Sequence, residues 1–542
     1  MPAQWNFADV WEAVADAVPD AVAQAHGDRR VAWRDFDRHA DGIAAELLAS
    51  GLGRHDKVAL YLYNTAEYLE SAFAAMKAGL VPVNTNYRYK RDELLYLWDN
   101  ADAAAVIFDD AFTGTIDGLR ARCGKVRRWI HVGAAAACPA WATRYDAAAA
   151  SGAGRTRAPW GRSGDDPVFI YTGGTTGQPK GVIWRQHDLY LASNTTCDPA
   201  VADAGHVRRR VAADTVRLVG LPAAPLMHGT GFVFAATILN RGGTVVTLPE
   251  RAFDATRLLD AVVAERVAEL CVVGDAFCRP IVDALDAAPG RWNLSQLRMI
   301  SSSGMMWSGD VKRRLLAHAP QLLLIDFLNS SEASGMGRSI TSSRSAGRSA
   351  SFRLGTNAFV IDDAGVPVVP GSGVAGRVAV RGIVPLGYYK DPVRTAAVFP
   401  VVEGVRCAVP GDYATVEADG TITLLGRGLV SINTGGEKVF PEEVEEAIKG
   451  HPGARDAVVV GLPDPRFGQV VAAVVEPAAG ATLDAAAVIA HVRGRLAGHK
   501  VPRVVMIVDS VERTPTGKAD YTAVRERIGA WLAARLPGAV NG

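Results

Sequence analysis

The sequence has few of the features that mark several large classes of protein. Its six cysteines are spread over 542 residues with no CxxC pair and no histidine–cysteine spacing typical of zinc, which argues against a disulfide framework and a structural zinc site. Lysine plus arginine total 58 against 57 aspartate plus glutamate, a net charge of +1. Because no general positive field is present to hold a nucleic-acid backbone or an anionic membrane, we expect a specific small-molecule pocket and no nucleic-acid partner.

A leader peptide and a membrane anchor are also not indicated. The first 22 residues carry acidic side chains throughout and have no basic start followed by an apolar stretch, so they do not resemble a signal peptide. The longest uncharged run, Leu218 to Asn240, is interrupted by Pro222, Pro225 and His228. We interpret this run as a strand, a loop and a buried helix, and we expect a cytoplasmic protein without an integral membrane segment.

The length of 542 residues corresponds to about three to four structural units of roughly 150 residues each. Up to about Asp110, stretches with helical spacing alternate with short apolar runs, which predicts a parallel sheet covered by helices. From about Phe352 the pattern changes to short strands and turns, which predicts a β-barrel-like antiparallel subdomain. After Ser431 the sequence reads as a separate, smaller α+β piece. The predicted fold class is therefore α/β with a small additional domain.

The most informative stretch is VFIYTGGTTGQPKGVIW, residues 168–184. An apolar strand runs into consecutive glycines and threonines, whose backbone N–H groups and hydroxyls can turn toward one anion, and a lysine follows. We interpret it as a polyphosphate-binding loop. It does not match GxxxxGK[ST], because no serine or threonine follows Lys180, and the chain also lacks GxSxG, so P-loop and α/β-hydrolase enzymes are disfavoured.

A second unusual segment, residues 338–353, contains four arginines among many serines and has no apolar periodicity. We expect a mobile surface loop here, and a basic cleft for cofactor phosphates is the less favoured alternative.

Several motifs together resemble the adenylate-forming superfamily of acyl-CoA synthetases, peptide-synthetase adenylation domains and luciferases. YTGGTTGQPKG is similar to its signature loop, and the other motifs follow in the family's order. They are PLMHGTG with His228, FLNSSEASG in place of YGxTE, the GD pair at Gly411 and Asp412, GRGLVSINTGGEKVFPEEVE at the hinge, and TPTGK ending in Lys518.

The resemblance implies a reaction in which a carboxylate is joined to the α-phosphate of ATP and the acyl group then passes to a thiol. It implies ATP, Mg²⁺ and coenzyme A as cofactors, with Thr172 and Glu332 as metal ligands and with Lys518, Glu332, His228 and Thr172 as catalytic residues. The residues it assigns to cofactor binding are Thr172, Gly173, Gly174, Thr175, Thr176, Gly177, Lys180, Ser303, Gly304, Met305, Asn329, Ser330, Ser331, Glu332, Asp412, Arg427, Gly436, Lys438 and Lys518.

Individual roles follow from the resemblance. Asp412 would accept hydrogen bonds from the ribose hydroxyls, and Lys518 would stabilise the charge that develops during adenylation. Gly436 would lie beside the pantetheine channel. The domains implied are a large N-terminal domain at 1–426, a hinge at 427–431 and a small, mobile C-terminal domain at 432–542. Three positions depart from the family pattern: Asn329, Pro410 and Leu429.

The combination of VVGDAFCRP, SSSGMMWS and SINTGGEKVFPEEVE resembles bacterial fatty-acid and steroid-side-chain CoA ligases. This implies that the substrate is an apolar carboxylic acid. Two alternatives stay open: a ligase that loads a carrier protein in place of free CoA, and a nucleotide-binding homologue without catalysis. A homodimer is also left open.

Overall fold

The computed structural model describes residues 4–173, 178–194, 203–304, 307, 309–345, 351–362, 364–427, 432–439, 441–478, 480–511 and 521–535. These residues fall into two compact units. The first unit comprises Met1–Tyr87, Leu97–Thr172 and Gly181–Leu424, and the second unit comprises Arg88–Tyr96, Gly173–Lys180 and Leu425–Gly542. The predicted domain limits stay a prediction, and residues 428–431 of the predicted hinge lie outside the described residues.

The chain alternates helices and strands through its first two thirds. Up to residue 150 the elements are α1 Phe7–Ala17, β1 Val22–His26, β2 Arg29–Ala32, α2 Trp33–Ala49, β3 Lys57–Tyr61, α3 Ala66–Lys77, β4 Val81–Asn84, α4 Arg91–Asn100, β5 Ala103–Asp109, α5 Thr113–Asp117, β6 Arg128–Val132, β7 Thr143–Arg144 and α6 Tyr145–Ala150. From residue 167 they are β8 Pro167–Gly173, β9 Pro179–Arg185, α7 Gln186–Asn194, α8 Ala204–Ala213, β10 Val219–Pro222, α9 Gly229–Asn240, β11 Thr244–Thr247, α10 Ala255–Ala264, β12 Glu269–Val272, α11 Gly274–Ala287, β13 Met299–Ser303, α12 Gly309–His318, β14 Leu323–Ser330 and β15 Ala333–Thr341.

Short strands dominate the next part, and helices return at the end. The strand-rich part contains β16 Ser351–Leu354, β17 Ala358–Ile361, β18 Ala375–Arg381, β19 Gly387–Tyr388, α13 Pro392–Val398, β20 Val401–Val402, β21 Val405–Ala408, β22 Asp412–Val416 and β23 Thr421–Arg427. The last elements are β24 Ile432–Thr434, β25 Glu437–Val439, α14 Pro441–Lys449, β26 Ala454–Asp464, β27 Gly468–Pro477, α15 Ala485–Arg493, β28 Val504–Ile507 and α16 Tyr521–Arg535.

Two large sheets organise the first unit. One has the order β19-β9-β8-β4-β3-β5-β6-β7, and the other begins β2-β1-β11-β10-β12-β13-β14 and continues through β15-β16-β23-β22-β18-β21-β20, with β17 paired to β18. The strands from β1 to β14 in the second sheet pair in parallel, except for β1 with β2. From β14 onward the pairs are antiparallel. The predicted change from a parallel to an antiparallel pattern is therefore confirmed, but it comes before the predicted position at Phe352, because β14 and β15 already pair antiparallel.

The segment with four arginines differs from its prediction at both ends. Residues 338–341 belong to β15 and residues 351–353 belong to β16, and Arg338 lies opposite Arg353 in the ladder. The expectation of a loop was wrong for these residues, because alternate positions such as Phe352 and Thr341 are buried and hold the strands to the sheet. Residues 346–350 lie outside the described residues.

The core of the first unit begins at α1, which packs its aromatic side chains against α2 and α3. Trp11 meets Phe73 edge-to-face with ring centroids 5.2 Å apart, and Phe36 lies 5.8 Å from Trp11. Beside this cluster, the buried Glu12 accepts two hydrogen bonds from Arg162, at 2.8 and 2.6 Å. The buried ammonium of Lys77 lies 3.1 Å from the same carboxylate. An aromatic cluster and a buried ionic network thus join α1 to the rest of the unit.

The second unit contains a five-stranded sheet with the order β25-β24-β27-β26, in which β28 also pairs with β27. Side chains alternate across it as a strand requires: Val459 and Val475 pack in one apolar cluster with Ile448 of α14, whereas Val458 packs in another with Ile528 of α16. Because both faces are covered by helices, β26 and β27 are near-continuous apolar runs.

Candidate active site

Most of the predicted site residues of the first unit lie at or just after the carboxyl ends of parallel strands. Thr172 lies at the end of β8, His228 follows β10, Ser303 ends β13 and Glu332 comes just after β14. Asp412 opens β22, directly after Gly411, which has a φ of 99°. Ligands of open α/β sheets bind in the crevice outside the carboxyl ends of the strands, so this edge is the candidate active site.

Side chains of the β14–β15 turn stabilise the segment that carries Glu332. Asn329 accepts a hydrogen bond at its Oδ1 from the backbone N–H of Gly335, at 2.7 Å. Ser330 accepts one at its Oγ from the N–H of Ala333, at 3.1 Å. Asn329, which stands where the family has glycine, therefore contributes an additional bond across this turn.

Two aromatic side chains from another sheet hold the same turn. Tyr388 donates its hydroxyl to Oε1 of Glu332 at 2.8 Å, and Trp184 donates its Nε1–H to the carbonyl of Ser331 at 2.9 Å. Strands β9 and β19, which carry the two donors, pair with each other. Both Glu332 and Tyr388 are buried, each with 8 % exposure, so this edge of the eight-stranded sheet fixes the position of the carboxylate.

The glycine–threonine loop is described only at its ends. Thr172 and Gly173 belong to β8 and Lys180 to β9, whereas Gly174, Thr175, Thr176 and Gly177 lie outside the described residues. The Nζ atom of Lys180 is buried and has no hydrogen-bond partner among the residues that the structure describes. A buried ammonium is costly unless an anion pairs with it, and this property suits a lysine that binds a phosphate.

His228 begins the segment predicted to line the acyl pocket. It is the N-cap residue of α9, and its backbone N–H donates to the carbonyl of Pro225 at 3.0 Å. Gly231 lies so close to this turn that an added Cβ would stand 2.3 Å from the same carbonyl oxygen. Glycine is required at 231 because the first turn of α9 packs directly on the loop before His228.

The neighbourhood of this turn is apolar. Ala224, Cys271 and Val273 form a small buried cluster, against which Phe234 of α9 and Phe277 of α11 pack. Burial raises the pKa of Cys271 to about 12, so this thiol is neutral and behaves as a small apolar side chain. The surroundings suit a hydrophobic ligand.

Ser303 ends β13 and Gly304 follows it directly. Ser303 is buried and Gly304 is exposed with a φ of 92°, and a Cβ at Gly304 would have Val273 as its nearest neighbour, at 4.0 Å. Glycine is thus needed for the backbone conformation, since space is not restricted. Met305 lies outside the described residues.

A buried ion pair lies further back along β14. The Nζ of Lys312 is 3.5 Å from the carboxylate of Asp326. Burial raises the pKa of Asp326 to about 6, although the positive charge of Lys312 opposes the change. The carboxylate thus faces a lysine in the interior of the first unit.

The remaining predicted residues, Arg427, Gly436, Lys438 and Lys518, belong to the second unit. Gly435 and Gly436 join β24 to β25 with φ values of 59° and 84°, as a two-residue hairpin turn demands. The hairpin turn is therefore a structural reason for glycine at 436, independent of its predicted role beside the pantetheine channel. The side chains of Arg427 and Lys438 and the whole of Lys518 lie outside the described residues.

Magnesium fits the donor chemistry at this edge. Glu332 and Thr172 offer oxygen atoms, which Mg²⁺ prefers, and this ion commonly combines one or two carboxylates with substrate phosphates. Among the described residues, no group of three or more histidine, cysteine, aspartate and glutamate side chains could hold a metal by itself. A magnesium ion here would need the phosphates of ATP as further ligands.

Four side chains that hold segments of the candidate site were missed by the sequence reasoning: Tyr388, Trp184, Asn64 and Asn84. Asn64 accepts a hydrogen bond from the N–H of Leu226, and Asn84 donates one to the carbonyl of Met227, just before His228. The two asparagines follow the apolar strands KVALYLY and VPV, and a polar residue at the end of a buried parallel strand is the signal that identifies them. Nothing in the sequence around Tyr388 or Trp184 connects either residue to Glu332.

Within the described part of the chain, no helix has both the length and the apolar character needed to cross a bilayer. The long uncharged run instead contains β10, a loop and α9, as predicted.

Comparison with known proteins gives full-length matches. The AMP-binding enzyme family matches residues 11–389, and the AMP-binding enzyme C-terminal domain matches residues 443–518. A medium/long-chain-fatty-acid–CoA/3-oxocholest-4-en-26-oate–CoA ligase of Mycolicibacterium smegmatis is 40% identical over 529 residues, which cover 95% of each chain. A 3-oxocholest-4-en-26-oate–CoA ligase of Rhodococcus rhodochrous is 37% identical over 537 residues, covering 97% of this chain and 96% of the relative.

The fold has a solved counterpart as well. The amide bond synthetase McbA of Marinactinospora thermotolerans superposes with a TM-score of 0.80 at 24% identity, covering 96% of this chain and 99% of the other. The predicted α/β fold class and the resemblance to adenylate-forming enzymes are confirmed, as is the expectation of an AMP-forming ligase. With matches to both the large and the C-terminal family regions, the chain belongs to the AMP-binding enzyme family.

Proposed function

We propose that this protein is an ATP-dependent acyl-CoA ligase that activates an apolar carboxylic acid. The observation that carries the proposal is the position of Thr172, His228 and Glu332 at or just after the carboxyl ends of β8, β10 and β14. The relatives named above act on fatty acids and on a steroid side-chain acid. The apolar cluster of Ala224, Cys271 and Val273, with Phe234 and Phe277 beside it, supports an acid of the same kind for this chain.

In the first half-reaction an oxygen of the substrate carboxylate attacks the α-phosphorus of ATP. A new acyl–phosphate bond forms, the bond from the α-phosphorus to the bridging oxygen breaks, and pyrophosphate leaves. Lys180 would pair with the phosphates, and Ser331 would donate its hydroxyl to the α-phosphate. Thr172 and Glu332 would hold Mg²⁺, which neutralises phosphate charge when bound. Asp412 would accept hydrogen bonds from the ribose hydroxyls.

In the second half-reaction the thiol sulfur of CoA attacks the acyl carbon and loses its proton, and AMP leaves. Lys518 serves the first half-reaction in this proposal, because its ammonium stabilises charge that develops as the carboxylate and phosphate meet. The roles of Arg427, Gly436 and Lys438 toward ATP and CoA remain those implied by the family resemblance. A cytoplasmic location and a homodimer also remain predictions.

A pyrophosphate-release assay tests the proposal. Purified protein is incubated with Mg²⁺ and ATP, with and without CoA, over a panel of fatty, aromatic and steroid-side-chain acids. We expect pyrophosphate release with an apolar acid and an acyl-CoA product when CoA is present. Release without any acyl-CoA product would favour a carrier protein as the acceptor. No release with any acid would favour the nucleotide-binding homologue without catalysis.

A further inference from the structure

Asn84 connects two segments of the candidate active site through one side chain. It is the last residue of β4, and its amide makes three hydrogen bonds to backbone groups. Its Oδ1 accepts from the N–H of Tyr171 at 2.6 Å, and its Nδ2 donates to the carbonyls of Tyr171 at 2.8 Å and Met227 at 2.6 Å. With two carbonyls and one N–H as partners, the orientation of the amide is defined by its surroundings.

The first two bonds extend the sheet beyond the end of β4. Strands β4 and β8 pair in parallel through Val83 and Phe169, and Asn84 is the next and last residue of β4. The side-chain amide has the donor and acceptor of a peptide group, and it bonds both main-chain groups of Tyr171. Tyr171 directly precedes Thr172, so Asn84 holds β8 at the point where the phosphate-binding loop begins.

The third bond reaches the other sheet. Met227 lies in the loop between β10 and α9 and directly precedes His228. A second asparagine acts on the same loop: Asn64 accepts from the N–H of Leu226 at 2.7 Å and donates toward the carbonyl of Ala224 at 3.3 Å. The loop that leads to His228 is therefore held by side chains that follow β3 and β4.

We propose that Asn84 is a positioning residue that sets the distance between the ATP-binding and the acid-binding segments. This inference rests on the proposed function, in which the carboxylate beside His228 must reach the α-phosphate of the nucleotide held after Thr172. Because Nδ2 bonds the carbonyls of both segments, a shift of either one strains a bond to the other. The amide therefore fixes the placement of the two substrates relative to each other. Its loss should affect the rate of their reaction more than the affinity for either substrate.

Three variants test this role. Asn84→Ala removes all three bonds. Asn84→Asp keeps an acceptor for Tyr171 but loses both donors and turns carboxylate oxygens toward two carbonyls. Asn84→Gln retains the amide one methylene farther out. We expect kcat for pyrophosphate release to fall about 10- to 100-fold in the first two variants, since displacement by about 1 Å can have that effect. Asn84→Gln should recover part of the rate, and the KM values for ATP and acid should change less than about threefold.

Gln321→Ala is the matched control. Gln321 precedes β14, at the opposite end from Glu332, and its amide also bridges two backbone carbonyls, those of Leu294 at 2.8 Å and Leu297 at 3.2 Å. We expect its kcat to equal that of the wild type, with a melting temperature lowered at least as much as in Asn84→Gln.

The outcomes separate this inference from the proposed function. If the wild type releases no pyrophosphate with any acid, the proposed function fails. If the wild type is active and Asn84→Ala keeps its kcat, the positioning role is wrong. Equal loss of kcat in Asn84→Ala and Gln321→Ala would assign the effect to general stability and would also overturn the inference.

Discussion

Glu332 and its tyrosine partner illustrate how much depends on a single hydrogen bond. The hydroxyl of Tyr388 lies 2.8 Å from Oε1 of Glu332, and both side chains are buried. A hydrogen bond to a charged group is worth about 1.5–3 kcal/mol. The bond also restricts the rotation of a carboxylate that, in our proposal, must meet a metal ion and the substrate phosphates.

We therefore predict that Tyr388→Phe lowers kcat for pyrophosphate release about tenfold and raises the Mg²⁺ concentration needed for half-maximal rate. Titration of the initial rate with Mg²⁺ at saturating ATP measures both effects. Tyr145→Phe is the control, because Tyr145 donates at 2.8 Å to the buried Glu70 in the first unit. It should lower the melting temperature and leave the Mg²⁺ dependence unchanged. An unchanged Mg²⁺ dependence in Tyr388→Phe would contradict the role of the bond.

At the scale of secondary-structure elements, two helices of the first unit are held in place by different kinds of contact. Helix α9 begins against the loop that it follows, and α1 is attached to the core by aromatic side chains and buried charges. These two contacts differ in kind, since the first depends on the absence of a side chain and the second on paired charges. Each leads to a separate prediction.

Gly231→Ala should displace the first turn of α9. The added Cβ would stand 2.3 Å from the carbonyl oxygen of Pro225, and forced overpacking costs about 1–3 kcal/mol. We expect a lower melting temperature and a KM for the acid that rises more than the KM for ATP, because His228 caps the displaced helix. Gly229→Ala is the stability control, since its Cβ would meet only Ile170 at 3.7 Å. A melting temperature for Gly231→Ala equal to that of Gly229→Ala would refute the packing argument.

Glu12→Gln should destabilise the first unit in a pH-dependent manner. Burial alone would raise the pKa of Glu12, but the hydrogen bond and charge of Arg162 and the charges of Lys77 and Arg155 outweigh it and lower the pKa to about 2. A carboxyl with a lower pKa in the folded state stabilises the fold above its unfolded pKa near 4.5. This contribution, about 3 kcal/mol at pH 7, is lost as the pH falls from about 4.5 toward 2.

Thermal unfolding of Glu12→Gln and wild type at pH 7 and at pH 3 measures this effect. The difference in melting temperature should be large at pH 7 and should shrink at pH 3. Asp20→Asn, which removes an exposed carboxylate paired with Arg34, should change stability by less than about 1 kcal/mol. A difference for Glu12→Gln that is equally large at both pH values would show that packing, not ionisation, explains the loss.

On the scale of the whole molecule, the proposed function predicts that one residue separates the two half-reactions. In our proposal Lys518 contributes to adenylation only. Lys518→Ala should lower pyrophosphate release at least 100-fold, in the range found when a preorganised transition-state donor is removed. The same variant should form thioester from supplied acyl-adenylate and CoA at nearly the wild-type rate. Equal loss of both half-reactions would contradict this division.

Much of the site can be predicted from sequence because its chemistry is concentrated in short motifs. Thr172, His228 and Glu332 belong to three separate motifs. Within each motif the residues lie a few positions apart in the chain, so a local pattern identifies them. The departures within these motifs are harder to interpret. In the sequence, Asn329 is only a departure from the glycine of the family motif. In the structure, its side chain accepts a hydrogen bond from the N–H of Gly335, and this contact forms only when the β14–β15 turn is in place.

The sequence by itself determined the fold class, since periodicity of apolar residues sets helices and strands, and its motifs predict the reactive groups through their resemblance to the adenylate-forming superfamily. Only the tertiary structure decided how these groups are held. The bond from Asn84 to Met227 spans 143 residues, and that from Tyr388 to Glu332 spans 56. Such pairs depend on strand order and on which sheet edges meet, and both are set by packing of the whole first unit and not by any local pattern.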